Sequence, residues 1–365
     1  MYSLFLSHRA RIFRAHMDTS SAHESRPLPV RPVSARVRTA SEAPPPIRSA
    51  TQMRQDQLSA RVNGDALLPT GLRGVDWLLG GGLATGEVTE IFGGPGVGKS
   101  QLCMLASASQ ALFTGRTALY IDTSGQFSAQ RLFALANATA TREGLSRDAC
   151  KIRLSQRLRV LTTTTLPDLL CQLDALDELL RRGAAPAAVC GGAHTAGAHM
   201  APVHEPGSIE AEWARHLRVV VVDSVFSVCC GERVEEPDTV AGAQLARLGA
   251  RLRDLAVRHR LAVLVTNAAR FESTHIRHGD APPTDARPPR PALGVAWSST
   301  AHARVFLYKK ANDDRTVVKL LQHGLTARAV PQTATLLASA FVQFGPDGTV
   351  TSERRLAARN RPLGP

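Results

Sequence analysis

No uninterrupted apolar stretch in this 365-residue chain approaches the roughly 18 residues of a membrane-crossing helix, so no segment reads as a transmembrane span. Cysteine is scarce. The six present (103, 150, 171, 190, 229 and 230) show no C-x-x-C spacing. The chain is too long and too cysteine-poor for a disulfide scaffold, and these residues read as reduced thiols of an intracellular protein. Acidic residues are outnumbered, 31 Asp plus Glu against 44 Lys plus Arg, which leaves a formal charge of +13 and points to a polyanionic partner or an acidic surface. Apolar residues are not lacking. At 44% they suffice for a sizeable core and exclude wholesale disorder, and the length allows one large domain or two ordinary ones.

The charge is unevenly placed. Residues 1–60 hold nine Arg and four acids, Asp18, Glu24, Glu42 and Asp56, among Ser, Ala and Pro without sustained periodicity. This composition predicts a basic arm without a packed core over 1–64. Its first 17 residues place Arg9, Arg11 and Arg14 among Leu4, Phe5, Leu6, Ile12 and Phe13 with no acid before Asp18, which is the composition of a mitochondrial presequence. The alternative reading is an extension ahead of a start at Met17.

From about Pro69 apolar runs alternate with helical patterns. Strands are expected at 88–92, 117–122, 158–162, 217–222, 261–266, 303–308, 317–321 and 341–344. Helices are expected at 101–113, at 128–137 with Ser128 as N-cap, along the stripe Leu166, Leu169, Leu170, Leu173, Leu176, Leu180, and along Leu245, Leu248, Leu252, Leu255. Strands apolar on both faces and separated by helices argue for an α/β fold with a mostly parallel sheet between helices, and the closely spaced last strands for an antiparallel edge. Residues 182–209, rich in Ala, Gly, Pro and His, read as a flexible insertion. Its His194, His199 and His204 have no nearby acid or thiol pair to fix a metal geometry.

Gly93-Gly94-Pro95-Gly96-Val97-Gly98-Lys99-Ser100 satisfies G-x-x-x-x-G-K-[ST] between a predicted strand and a predicted helix, the context that gives the motif meaning. Its glycines let successive N–H groups turn inward around a phosphate, and the helix N-terminus adds its positive end. Lys99 is expected to bridge the β- and γ-phosphates of a nucleoside triphosphate and Ser100 to ligate Mg2+. Asp223, at the end of the apolar strand 217–222, fits the carboxylate that orients the hydrated Mg2+. Asp122-Thr123-Ser124-Gly125-Gln126 is similar to the D-x-x-G-Q segment of small GTPases. Only 23 residues separate it from Lys99, and no guanine-reading N-K-x-D follows, so that reading fails.

The segments 70–103 (TGLRGVDWLLGGGLATGEVTEIFGGPGVGKSQLC), 117–132, 219–224, 261–267 and 291–307 resemble, in order, the ATPase core of RecA-family recombinases of the eukaryotic and archaeal Rad type. Within that family the chain most resembles the D-type recombinase paralogue, with the C- and B-types open. The resemblance implies a RecA-like P-loop ATPase core over 65–350, a basic tail over 351–365, and ATP and Mg2+ as cofactors. It also implies homologous-recombination repair of DNA breaks as the setting and a hetero-oligomer with other paralogues, and a nuclear location with mitochondrion as the alternative.

Two departures carry functional content. Ser124 stands where active members carry the Glu that activates water, and Ala268 where they carry a Gln that senses the γ-phosphate. Losing such positioned groups costs about two to four orders of magnitude in rate, so ATP binding with slow hydrolysis is expected, rather than a DNA-dependent ATPase that exchanges strands itself. The small N-terminal helical domain and the Phe-x-x-Ala linker of filament-forming members are not recognisable, which disfavours autonomous filaments. By the same resemblance the loop 268–291 faces single-stranded or branched DNA, with Arg270, Arg277, Arg287 and Arg290 as phosphate contacts. Aromatics are few, and Phe271 alone lies in that loop, so a base-stacking platform is poorly supported.

Overall fold

The computed structural model describes residues 67–184, 209–229, 240–270, 290–309, 313–322 and 338–356. The first elements are β1 (Leu67–Leu68), α1 (Arg73–Leu78), β2 (Leu83–Ala84), β3 (Val88–Gly93), α2 (Lys99–Ser109) and β4 (Thr117–Asp122). Next come α3 (Ala129–Arg142), α4 (Arg147–Arg157), β5 (Leu158–Thr162), α5 (Leu166–Ala184), α6 (Ile209–Arg215) and β6 (Leu217–Asp223). The rest are α7 (Val225–Cys229), α8 (Val240–His259), β7 (Ala262–Arg270), β8 (Arg290–Pro291), α9 (Gly294–Ser298), β9 (Ala303–Lys309), β10 (Thr316–Gln322), β11 (Ala338–Phe344) and β12 (Val350–Leu356).

Apart from the β1–β2 pair, the strands form one sheet in the order β12-β11-β10-β9-β3-β7-β6-β4-β5, with β8 on β7. From β9 to β5 every neighbour is parallel. Beyond β9 the strands β10, β11 and β12 are antiparallel. The expected α/β architecture is present, with its antiparallel edge.

Burial explains the unbroken apolar strands. Val219 and Val221 of β6 enter one core with α1, α2 and α3, while Val220 and Val222 enter a second with α5 and α8. Both faces are covered, so no polar alternation is needed. Each such fully buried side chain contributes about 1.5–3 kcal/mol. One charge interrupts the pattern. Glu90, fully buried in β3, accepts from Asn267 Nδ2 at 2.7 Å, Trp297 Nε1 at 2.9 Å and Arg304 Nε at 2.7 Å, which fastens β3 to β7, β9 and α9.

Several boundaries differ from expectation. α5 continues to Ala184 and α6 starts at Ile209, and the rest of the expected 182–209 insertion lies outside the described residues. The 268–291 loop is shorter, because β7 runs to Arg270 and pairs with Arg290–Pro291. The 351–365 tail is a correction of another kind: Val350–Leu356 is a sheet strand, seven residues paired along β11. Arg354 therefore lies in the fold, with its guanidinium 5.8 Å from the Trp77 ring centroid. The 1–64 arm, the presequence-like start, Met17 and the histidines 194, 199 and 204 lie outside the described residues.

Candidate functional site

The G-x-x-x-x-G-K-S turn leaves the carboxyl end of β3 and enters α2 at Lys99. Two glycines are dictated by their surroundings. A Cβ on Gly93 would lie 2.3 Å from the Leu307 carbonyl oxygen of β9, and one on Gly98, at φ +95°, would lie 2.7 Å from the Phe344 ring of β11. The antiparallel edge thus braces the turn from outside, and Thr316 Oγ1 of β10 donates to the Val97 carbonyl at 2.9 Å. The turn leads directly into α2, whose first N–H groups and positive dipole end favour an anion.

Lys99 Nζ donates to the carbonyls of Gly93 at 3.0 Å and Gly94 at 2.7 Å. Burial lowers its pKa from the ordinary lysine value, while the Asp223 charge acts in the opposite direction. Asp223 ends β6, buried, on the face of the sheet that carries α2. One of its carboxylate oxygens accepts from Tyr120 OH at 2.5 Å and the other from Thr266 Oγ1 at 2.5 Å. Among the described residues the Ser100 hydroxyl has no partner, and Lys99 forms no ion pair.

Asp122 is fixed by its own loop. Its carboxylate accepts from the backbone N–H groups of Ser124 (3.0 Å), Gly125 (2.9 Å) and Phe127 (3.0 Å), an arrangement that shapes the turn after β4. Ser124 is exposed, and its hydroxyl donates to Asp122 Oδ1 at 3.1 Å. Ala268 pairs in register with Gly93, so the residue beside the start of the turn has no polar side chain. Asn267 is turned away into the sheet, where its Oδ1 accepts from Ala268 N at 2.7 Å and its Nδ2 binds Glu90.

The structure brings residues 93–100, Asp223, Ser124 and Ala268 to one end of the parallel sheet. Arg270 and Arg290 stand opposite one another at the neck of the shortened loop, while Arg277 and Arg287 lie outside the described residues. Sequence reasoning missed Tyr120, Thr266, Thr316 and Phe344. Only parallel registers and a long-range hairpin carry them to the site, which leaves no local pattern to read.

A glycine turn between a parallel strand and its helix, with an acid ending a strand two places away, defines a RecA-like core of the P-loop class. The family model described as Rad51 matches residues 65–172. The chain is 34% identical over 247 residues to the DNA repair protein RAD51 homolog 4 of Mus musculus, covering 66% of this chain and 60% of the mouse protein. To the DNA repair protein RAD51 homolog 2 of Homo sapiens it is 26% identical over 283 residues, covering 69% of this chain and 63% of the human one. The chain therefore spans a little over three fifths of the length of these curated relatives at most. The crystal structure of the RadB recombinase aligns with a TM-score of 0.50 and 22% identity over 78% of this chain and 99% of that chain, a likeness of fold.

Proposed function

We propose that this protein binds ATP with Mg2+ at residues 93–100 and Asp223, hydrolyses it slowly, and assists homologous-recombination repair of DNA breaks. It does so in a hetero-oligomer of recombinase-family paralogues that loads or stabilises the strand-exchange filament, and within the family it stands nearest the D-type. The observation that carries the nucleotide reading is the conjunction of the left-handed glycines, Lys99 at the first turn of α2, and Asp223 ending β6 on the sheet face that carries α2.

The residues present fit the group. Backbone N–H groups of the turn and of the start of α2 would supply donors to an anion, and Lys99 can exchange two carbonyls for phosphate oxygens without breaking a salt bridge. The Ser100 hydroxyl and the Asp223 carboxylate supply hard oxygen donors for Mg2+ and its waters. When bound, Mg2+ neutralises charge on the β- and γ-phosphates. Ser124 cannot serve as a general base and Ala268 cannot report the γ-phosphate, which supports binding over turnover. Strand exchange by this chain alone is disfavoured on the same two residues.

Titration with a fluorescent ATP analogue tests the reading: Lys99→Ala is expected to weaken binding by about a hundredfold or more. A wild-type turnover like that of a processive recombinase, abolished in Lys99→Ala, would refute slow hydrolysis. Co-purification from the host cell with mass spectrometry tests the assembly, and recovery of no other recombinase-family chain would sink it. The proposed location is the nucleus. The acid-free first 17 residues, with Arg9, Arg11 and Arg14, keep the mitochondrion as the alternative, and fractionation decides between them.

A further inference from the structure

The strands β7, β6 and β4 lie side by side and parallel, and on the face that carries α2 they present Thr266 within β7, Tyr120 within β4 and Asp223 at the carboxyl end of β6. The central acid is gripped from both flanks. Tyr120 OH reaches one carboxylate oxygen at 2.5 Å and Thr266 Oγ1 the other at 2.5 Å. Tyr120 is fully buried, and its ring packs against Phe127 with centroids 4.9 Å apart, so the phenol has little freedom to leave.

These contacts solve a problem specific to this site. Among the described residues Asp223 and Lys99 form no ion pair: the carboxylate is held by the two hydroxyls, and Lys99 rests on the Gly93 and Gly94 carbonyls. In a buried setting an unrestrained carboxylate and ammonium would collapse together, occupying the cation that the phosphates need. Two hydroxyl donors remove that drive. They satisfy one lone pair on each oxygen and fix the carboxylate plane, and they leave the remaining lone pairs for the water shell of a metal.

We propose that Tyr120 is a positioning residue for the metal–nucleotide site: together with Thr266 it holds Asp223 off Lys99 and presents it to the metal shell. This rests on the nucleotide reading above. It acts on the metal rather than on the phosphates, which makes the two separable.

The test compares the full-length wild type with Tyr120→Phe, Thr266→Val and Thr266→Ser. Binding of a fluorescent ATP analogue is titrated at several Mg2+ concentrations and in EDTA, with circular dichroism and thermal melting as controls for folding. Tyr120→Phe, which removes one oxygen and keeps the ring, is expected to raise the half-saturating Mg2+ concentration by about tenfold. Thr266→Val is expected to act in the same direction, and Thr266→Ser, which keeps a hydroxyl, to recover most of the loss. A wild-type Mg2+ midpoint in Tyr120→Phe would overturn the proposal. So would an equal loss of affinity with Mg2+ and in EDTA, the mark of a merely structural role. Absence of nucleotide binding by the wild-type chain would instead refute the nucleotide reading itself.

Discussion

At the scale of single residues, the phosphate turn depends on backbone conformations that few residue types adopt. Residues 93–100 form a contiguous motif, and the φ values of Gly96 (+73°) and Gly98 (+95°) are the left-handed conformations that only glycine adopts cheaply. Asp223 was legible because a buried strand ends in it. Glu90 and Tyr120 were not, because their partners lie far along the chain: Asn267, Trp297 and Arg304 for one, Asp223 and Phe127 for the other. The two missing side chains make the sharpest residue-scale prediction. Ser124 is exposed at the turn that Asp122 shapes, and Ala268 is aligned with Gly93, so both positions can accept a longer side chain without entering a packed core. The double variant Ser124→Glu/Ala268→Gln is expected to raise steady-state ATP turnover by about ten- to a hundredfold. Nucleotide affinity should stay within about threefold of wild type. Turnover unchanged in a variant that still binds ATP would show that the slow step lies elsewhere.

Elements were legible in proportion to how much apolar surface they bury. The parallel strands and the leucine stripe of α5 stand out because nearly every inward residue is apolar. α4 was missed since only Cys150 and Leu154 of its eleven residues are buried. Two of its arginines instead bind carbonyls of the helical turn Gln110–Thr114 that follows α2, Arg153 Nη1 on Leu112 O at 2.6 Å and Arg157 Nη1 on Ala111 O at 3.0 Å. β12 was missed for the same reason. Its charged sequence reads as a tail, and only pairing with β11 makes it a strand. Polar chemistry also fixes how α5 meets α8. Asp177, with 1% of its side chain exposed, accepts from His259 at 2.7 Å, Arg251 at 2.9 Å, Arg181 at 3.0 Å and Arg258 at 3.3 Å. Burial would raise this carboxyl, but the hydrogen bonds from His259, Arg181 and Arg251 and the Arg251 charge outweigh it and hold the pKa at about 2. A depressed folded-state pKa stabilises the fold above the unfolded value of 3.8, and that stability is lost as pH falls through 2. The linkage is worth about 2 kcal/mol. Asp177→Asn is therefore expected to lower urea-unfolding stability by about 2–4 kcal/mol at pH 7, the excess over the linkage reflecting stranded arginines. The gap to wild type should narrow between pH 4 and pH 2. A gap independent of pH would mean that the aspartate's charge is not what joins the helices.

At the scale of the whole molecule, the formal charge of +13 says less about partners than it first suggests. Many of its arginines hold the fold together. Arg304 neutralises Glu90, Arg251 and Arg258 meet Asp177, Arg142 binds the Val350 carbonyl, and Arg131 joins Gln101 to the Pro346 carbonyl. The ion-paired guanidinium groups are already cancelled in the net figure and those on carbonyls keep their charge, so the total by itself does not locate a surface for nucleic acid. Among the described residues, Arg270 and Arg290 are the cations that the β7–β8 register sets face to face, at the carboxyl end of the strand beside the phosphate turn. DNA held there would sit beside the phosphate turn, and its binding is expected to be dominated by phosphate contacts, because among the described residues no aromatic cluster accompanies the pair. Such binding releases counterions, with a slope of about −0.7 in log K against log salt per neutralised phosphate of a single strand. Fluorescence anisotropy of a labelled single-stranded oligonucleotide between about 50 and 200 mM salt should therefore give a steep, sequence-tolerant dependence. Arg270→Ala/Arg290→Ala should flatten that slope by about 1.4, two phosphates' worth, without changing the thermal melt by more than a few degrees. A slope equal to that of wild type would remove DNA from this neck and leave the basic excess to residues beyond it.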